Sequence, residues 1–206
     1  MTALGFILVC ALTALWLRPW RMLAPLLTPM LAFLVLLPWL WALPELHQMP
    51  LQLQWSGAPL ITLVLGWPLA VLTLIGVGAL AGLISSMSVD ACVQLIFWQG
   101  LLPATFTLLL GAAIRRWLPH HPFVYVLGRG FLGSVVCIFA AHFLAQLAGH
   151  ELPHVGTGLS LVGFWLMAWG DAFITGMVCA IFVALQPQWL ATWSDALYLP
   201  KPETEK

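Results

Sequence analysis

Long apolar stretches broken by short polar connections dominate the chain. They run at approximately 3–17, 22–43, 58–83, 91–114, 122–148 and 155–186. Alternation of period two is absent and each run is longer than a strand, so the pattern predicts helices rather than the strands of a membrane barrel. About 20 apolar residues in a helix cross the hydrocarbon core. The expectation is an all-α polytopic membrane helical bundle of about six or seven transmembrane helices, with residues 1–206 forming a single integral membrane domain that ends in a short cytoplasmic tail, 187–206. The first block is short for a bilayer and needs local thinning or burial against neighbours. No positive segment precedes it, and it leads into Arg18 and Arg21 rather than a small-residue cleavage site. It is expected to be a retained span, not a signal peptide.

Composition sharpens this reading. With 62% hydrophobic and 7% charged residues, the chain lies far outside the soluble range. Seven Lys plus Arg balance seven Asp plus Glu, which leaves no basic surface for nucleic acid. The four cysteines fall in different apolar blocks and outside any CxxC pair, so they read as small reduced hydrophobes. Several of the 12 tryptophans, among them Trp16, Trp20, Trp39, Trp41, Trp117, Trp189 and Trp193, sit near block ends. They are expected to anchor at headgroup depth. Gly78 and Gly82 form a GxxxG, and Gly128, Gly130 and Gly133 thin one side of the fifth block. Internal helix packing is the expected use of both, though a partner subunit can use the same faces.

Charge placement bears on topology. Lys and Arg collect on the cytoplasmic side of membrane proteins. Here the positive clusters are Arg18 and Arg21, Arg115 and Arg116, and Lys201 and Lys206, whereas the connections 44–57 and 149–154 carry none. Six single crossings from an outside N-terminus break the rule twice. One extra crossing between residues 44 and 114, or one block that enters and returns, puts every cluster inside. The expectation is therefore N-out, C-in, with seven crossings or five plus a re-entrant element, in a bacterial-type inner membrane. The break at Gly66, Trp67 and Pro68 is where that element belongs, because Pro68 removes a helical hydrogen bond. The alternative is that two or three charges disobey the rule.

Ionisable groups inside a bilayer are costly, so each marks a candidate site. These are Arg129, His142 and Asp171, with Gln94 and Gln99 as neutral companions. Asp171 follows Gly170 and reads either as the cap of a helix restarting after a glycine break, or as a carboxylate facing a cavity or pairing with Arg129. His142 reads as a hydrogen-bonded packing residue unless a second ligand lies near. His150, Glu151, Leu152, Pro153 and His154 spell HExxH, the zinc-protease pattern, but Pro153 opposes the helix that brings its ligands together. His120 and His121 lie between Pro119 and Pro122 and read as a cytoplasmic turn. No GxxxxGK[ST] loop occurs, so any ATP-driven work requires a partner.

The segment Gln54-Trp-Ser-Gly-Ala-Pro-Leu-Ile-Thr-Leu-Val-Leu-Gly-Trp-Pro-Leu-Ala70 resembles the cobalt and nickel energy-coupling-factor transporter permeases. So do Gly170-Asp-Ala-Phe-Ile-Thr-Gly176 and Gln186-Pro-Gln-Trp-Leu-Ala-Thr-Trp-Ser-Asp-Ala-Leu-Tyr198, which are similar to a divergent branch of that family. The likeness covers roughly residues 15 to 198 as scattered short matches. It implies a permease, not an enzyme: a substrate-capturing subunit with seven helices, N-out and C-in. Its substrate would be a transition-metal ion, with no permanently bound cofactor. Its partners would be a transmembrane coupling subunit, ATPase subunits and membrane lipid. Metal-binding members begin Met-His-Ile-Pro, whereas this chain begins Met1-Thr2-Ala3-Leu4, and a second family histidine falls on Gln54. The imidazoles that can replace them are His47, His150 and His154, with Met49 beside the first. Two further readings remain: an assembly or accessory protein without a transported ligand, and an HExxH intramembrane metalloprotease.

Overall fold

The computed structural model describes residues 2–47, 55–150 and 157–198, and among these every regular element is helical. Helix α1 spans Thr2–Trp16, α2 Leu23–His47, α3 Ala58–Leu65 and α4 Trp67–Ser85. Helices α5 (Val89–Trp117) and α6 (Val124–Leu147) each contain a π-helical stretch, and α7 spans Thr157–Leu185. Five helices, α2 and α4 to α7, are long and apolar enough to cross a membrane; α1 is a shorter apolar helix. The chain is a multi-pass, all-α membrane protein.

The block at 58–83 is two helices. Gly66 adopts φ 75°, ψ 155°, a region closed to residues with a Cβ, and Pro68 stands in the first turn of α4, where a missing N–H costs nothing. Every residue of α3 is buried. That is what a short helix with exposed ends requires inside a membrane, where loose backbone survives only when protein surrounds it.

Helix register fixes the layout. A Cβ on Gly78 would meet Ile96, one on Gly82 would meet Cys92, and one on Gly100 would meet Leu74, so α4 and α5 run antiparallel. The GxxxG therefore serves internal packing, against α5. In α6, Gly130 lies against Cys179 and Gly176 of α7. Alongside α4, α2 runs in the same direction, since Leu23, Met30 and Leu34 share a groove with Leu69, Leu72 and Gly76. The Arg18 turn, Arg115 and Arg116, and segment 187–198 consequently lie at one end of the bundle. The 86–88 turn, the end of α2 and the end of α6 lie at the other. Because α2 and α4 run in the same direction, the chain passes from the far end to the arginine end between His47 and Gly66, with α3 as the lower part of that passage; of the two expected alternatives this is the extra crossing rather than a block that enters and returns.

Segment 187–198, expected as a plain tail, packs inward. The Ala191 N–H donates to Val64 O (2.8 Å) and the Thr192 N–H to Leu63 O (3.4 Å), while Thr192 Oγ1 donates to Leu63 O (2.8 Å) and pairs with the Tyr125 hydroxyl (2.7 Å). Carbonyls left over at the end of α3 are thus satisfied by chain that follows α7. Trp193 stacks on Tyr198 with ring centroids 4.7 Å apart, and Trp189 packs on Phe182. Both are half-buried. Trp41 is interior at 2% exposure, which corrects its expected place at headgroup depth, whereas Trp16, Trp20, Trp39 and Trp117 are exposed at helix ends or flanks. The cysteines are free: three are buried and Cys92 is half-buried.

Candidate functional site

The N-terminus of α3 stops in the middle of the bundle, against the centre of α7. Asp171, 14 residues from each end of Thr157–Leu185, is 2% exposed. Its Oδ2 accepts the backbone N–H groups of Ser56 (2.8 Å) and Gly57 (3.0 Å), and Thr175 Oγ1 donates to Oδ1 (3.3 Å). Helix α7 is continuous through Gly170. The sequence expectation of a glycine break capped by Asp171 is therefore corrected: the carboxylate caps, but the helix it caps is α3. A helix N-terminus carries unpaired N–H groups and partial positive charge, and in a bilayer interior no water is present to satisfy them.

Local sequence explains the rest of this junction. Gly57 takes φ 64° as N-cap. Pro59 has no N–H to satisfy, and the Ala58 N–H bonds to Ser56 Oγ (3.2 Å). The Ser56 hydroxyl in turn donates to Gln99 O (2.6 Å). Pro103, four residues on, has no N–H to return to that carbonyl, and Gln99 lies in the π-helical stretch Ile96–Leu101, a distortion common at functional sites. The Gln99 amide donates to Trp55 O (3.1 Å), and the Trp41 indole forks between Trp55 O (3.1 Å) and Ser56 O (3.2 Å). Two groups are left over: Gln99 Oε1 and the Trp55 indole N–H are buried with no hydrogen-bond partner. The Trp55 indole is turned toward the Asp171 carboxylate without reaching good hydrogen-bond geometry. The junction thus offers carboxylate and amide oxygen at mid-depth, donors suited to a hard cation or a proton.

Arg129 does not pair with Asp171. It lies toward the arginine end, beside Cys179, which is eight residues or about 12 Å along α7. Its guanidinium packs on Gly111, where a Cβ would come within 2.5 Å of Nη2, and its Cζ stands 5.3 Å from the Tyr125 ring centroid. Nε and Nη1 are buried without partners, within the second π-helical stretch, Val124–Leu132. His142 is a packing residue: Nδ1 donates to Ile138 O (2.9 Å) and the ring stacks on Phe164. Gln94 accepts the Trp98 indole N–H (3.0 Å).

The proposed imidazole set is only partly visible. His47 ends α2, with its side chain outside the described residues, as is the whole of His154 together with Glu151, Gln54 and Met49. His150 is exposed at the end opposite the arginines, its ring 5.4 Å from that of Trp98. Among the described residues no group of three or more His, Cys, Asp or Glu is placed to hold a metal. Helix α6 ends in a Schellman turn, with Gly149 at φ 86°, its N–H bonded to Gln146 O and that of His150 to Ala145 O. His150 has therefore left the helix, which removes it from the helical geometry an HExxH zinc site needs. His120 and His121 lie in the turn before α6, where His121 Nδ1 accepts the Phe123 N–H (3.1 Å).

Sequence reasoning named Asp171, Arg129 and Gln99, and missed Ser56, Gly57, Trp41, Trp55 and Thr175. Two signals were available: Gly57-Ala-Pro59 as a helix start, and Thr175 one turn from Asp171. In comparison with known proteins, no family model matches the chain, and no curated protein or solved structure is similar to it at a significant level.

Proposed function

We propose that this chain is the substrate-capturing membrane subunit of an energy-coupling-factor-type transporter, carrying a small cation, with a transition-metal ion such as cobalt or nickel as the first candidate. One observation carries the reading: a half-helix that halts at mid-depth with its N-terminus on a buried carboxylate. Transporters place substrate and coupling ions where helices are interrupted, and an acid kept inside a bilayer marks such a pathway. Capture begins at the end away from the arginines, where His150 stands exposed and His47 and His154 complete a candidate imidazole set suited to cobalt or nickel. Asp171 and Gln99 supply the inner oxygen donors. Placing the arginine end in the cytoplasm gives N-out, C-in in a plasma membrane. Without a nucleotide-binding loop the chain takes its energy from a transmembrane coupling subunit and ATPases.

The second reading is an accessory membrane protein with no ligand. It is favoured by Asp171, whose oxygens already accept three hydrogen bonds. Thermal stability of the detergent-solubilised protein, measured with Co, Ni, Zn, Cu and Mn salts, separates the two. A ligand at a hundredfold excess over Kd stabilises by about 2.7 kcal/mol. Transport predicts a metal-selective rise in Tm that the His47/His150/His154 triple alanine variant loses. No shift with any metal overturns the transport reading and leaves the accessory one, and a shift that the triple variant keeps overturns the imidazole capture site.

A further inference from the structure

A groove of about 380 Å³ opens between α1, α2 and α4 at the arginine end, lined by Leu15, Pro19, Trp20, Leu23, Met30, Leu34, Leu69, Leu72, Thr73 and Gly76. Its volume falls within the usual range for ligand sites, about 300–1,000 Å³. Its one hydroxyl, Thr73 Oγ1, donates to Leu69 O (2.8 Å), and apart from the Trp20 indole N–H the wall is apolar. From Leu23 to Leu34 along α2 is about 16 Å at 1.5 Å per residue. That matches half of a hydrocarbon core about 30 Å thick: the groove is as deep as one leaflet. Gly76 sets its inner limit, since a Cβ there would lie 3.1 Å from Leu34 Cδ2. Next to Pro19 and Trp20 of the lining, Arg18 is exposed and held at φ 52°. Among the described residues it has no ion-pair or side-chain hydrogen-bond partner.

We infer that this groove binds one acyl chain of an anionic phospholipid from the leaflet at the arginine end, its phosphate paired with Arg18. Three observations converge: an apolar wall, one-leaflet depth and an exposed, unpaired arginine adjacent in the chain to the lining residues Pro19 and Trp20. Basic residues bordering a cleft between spans are the recognised means of holding an anionic headgroup. Arginine suits a phosphate because its planar fork can bind two oxygens at once. The short α1, 15 residues, gains from such a lipid, which fills the space its neighbours leave. The inference is independent of what the protein transports.

The test is lipid retention by the full chain, reconstituted in mixed phosphatidylglycerol and phosphatidylcholine vesicles, extracted in mild detergent and weighed by native mass spectrometry. The expected result is one retained lipid per chain, enriched several-fold in phosphatidylglycerol over the vesicle. Arg18→Gly removes the guanidinium and relaxes the left-handed backbone, so it should keep the fold and a bound lipid but lose the headgroup preference. Leu72→Trp fills the groove and should lose the lipid itself. Retention at vesicle composition in the wild type, absence of retained lipid, or enrichment that survives both variants overturns the proposal. The last outcome would place the lipid elsewhere on the bundle.

Discussion

Asp171 and Gly66 sit near the two ends of one short helix, and each is held by a different physical constraint. Replacing Asp171 with Ala strands the Ser56 and Gly57 N–H groups in a water-free interior, at about 1–3 kcal/mol for each lost partner. Asp171→Asn keeps an oxygen there and should recover a large part of that loss; detergent-denaturation midpoints of the two variants measure the difference. Equal destabilisation would mean that the carboxylate's charge, not its acceptor oxygen, holds α3. At Gly66 the surroundings leave room, since an added Cβ would sit 3.5 Å from Ala191 Cβ, so Gly66→Ala should cost about 1–3 kcal/mol through backbone strain alone. Asp171 was legible in the sequence because an acid in an apolar run is conspicuous. Its partners were not, because they lie 115 and 114 residues away and are backbone groups that carry no sequence signature.

Among the elements, α3 was partly legible. Gly66, Trp67 and Pro68 marked a break in an apolar block, and the distribution of arginines called for one extra crossing or a block that enters and returns; the parallel α2 and α4 correspond to the extra crossing. The two π-helical stretches left no such trace. One extra residue per turn changes no hydrophobic pattern, yet it shifts Gln99 and Arg129 relative to the rest of their helices. The GxxxG of α4 does what its spacing suggests. A Cβ on Gly78 would fall 2.2 Å from Ile96 Cγ1, so Gly78→Ala should separate α4 from α5 and lower stability by about 1–3 kcal/mol. Ile96→Ala in the same chain should restore part of it, a coupling readable in a double-mutant cycle. At the other end of α3, Ala191→Pro deletes the N–H that reaches Val64 O. Amide exchange across Ala58–Gly66 should then quicken while α4 stays protected. Unchanged exchange would show that burial alone holds the helix.

For the molecule as a whole, composition and periodicity sufficed to give an all-helical membrane bundle. The charge pattern then separated the two ends: the Arg18 turn and Arg115 and Arg116 share one end, with segment 187–198, and His150 occupies the other. The lysines at 201 and 206 lie outside the described residues. What periodicity could not give is contact between distant parts of the chain, and the dependence of α3 on Thr192 is the plainest case, a hydrogen bond spanning 129 residues. That contact sets an order of events during synthesis. When α3 leaves the ribosome its closing residues do not yet exist, and domains and spans form from the N-terminal side first. The half-helix must therefore wait, incompletely docked, while four more spans are threaded into the membrane. The last stretch of chain then acts as a latch, and a nascent protein interrupted before residue 191 should carry all its spans and still be recognised by membrane proteases as unfinished.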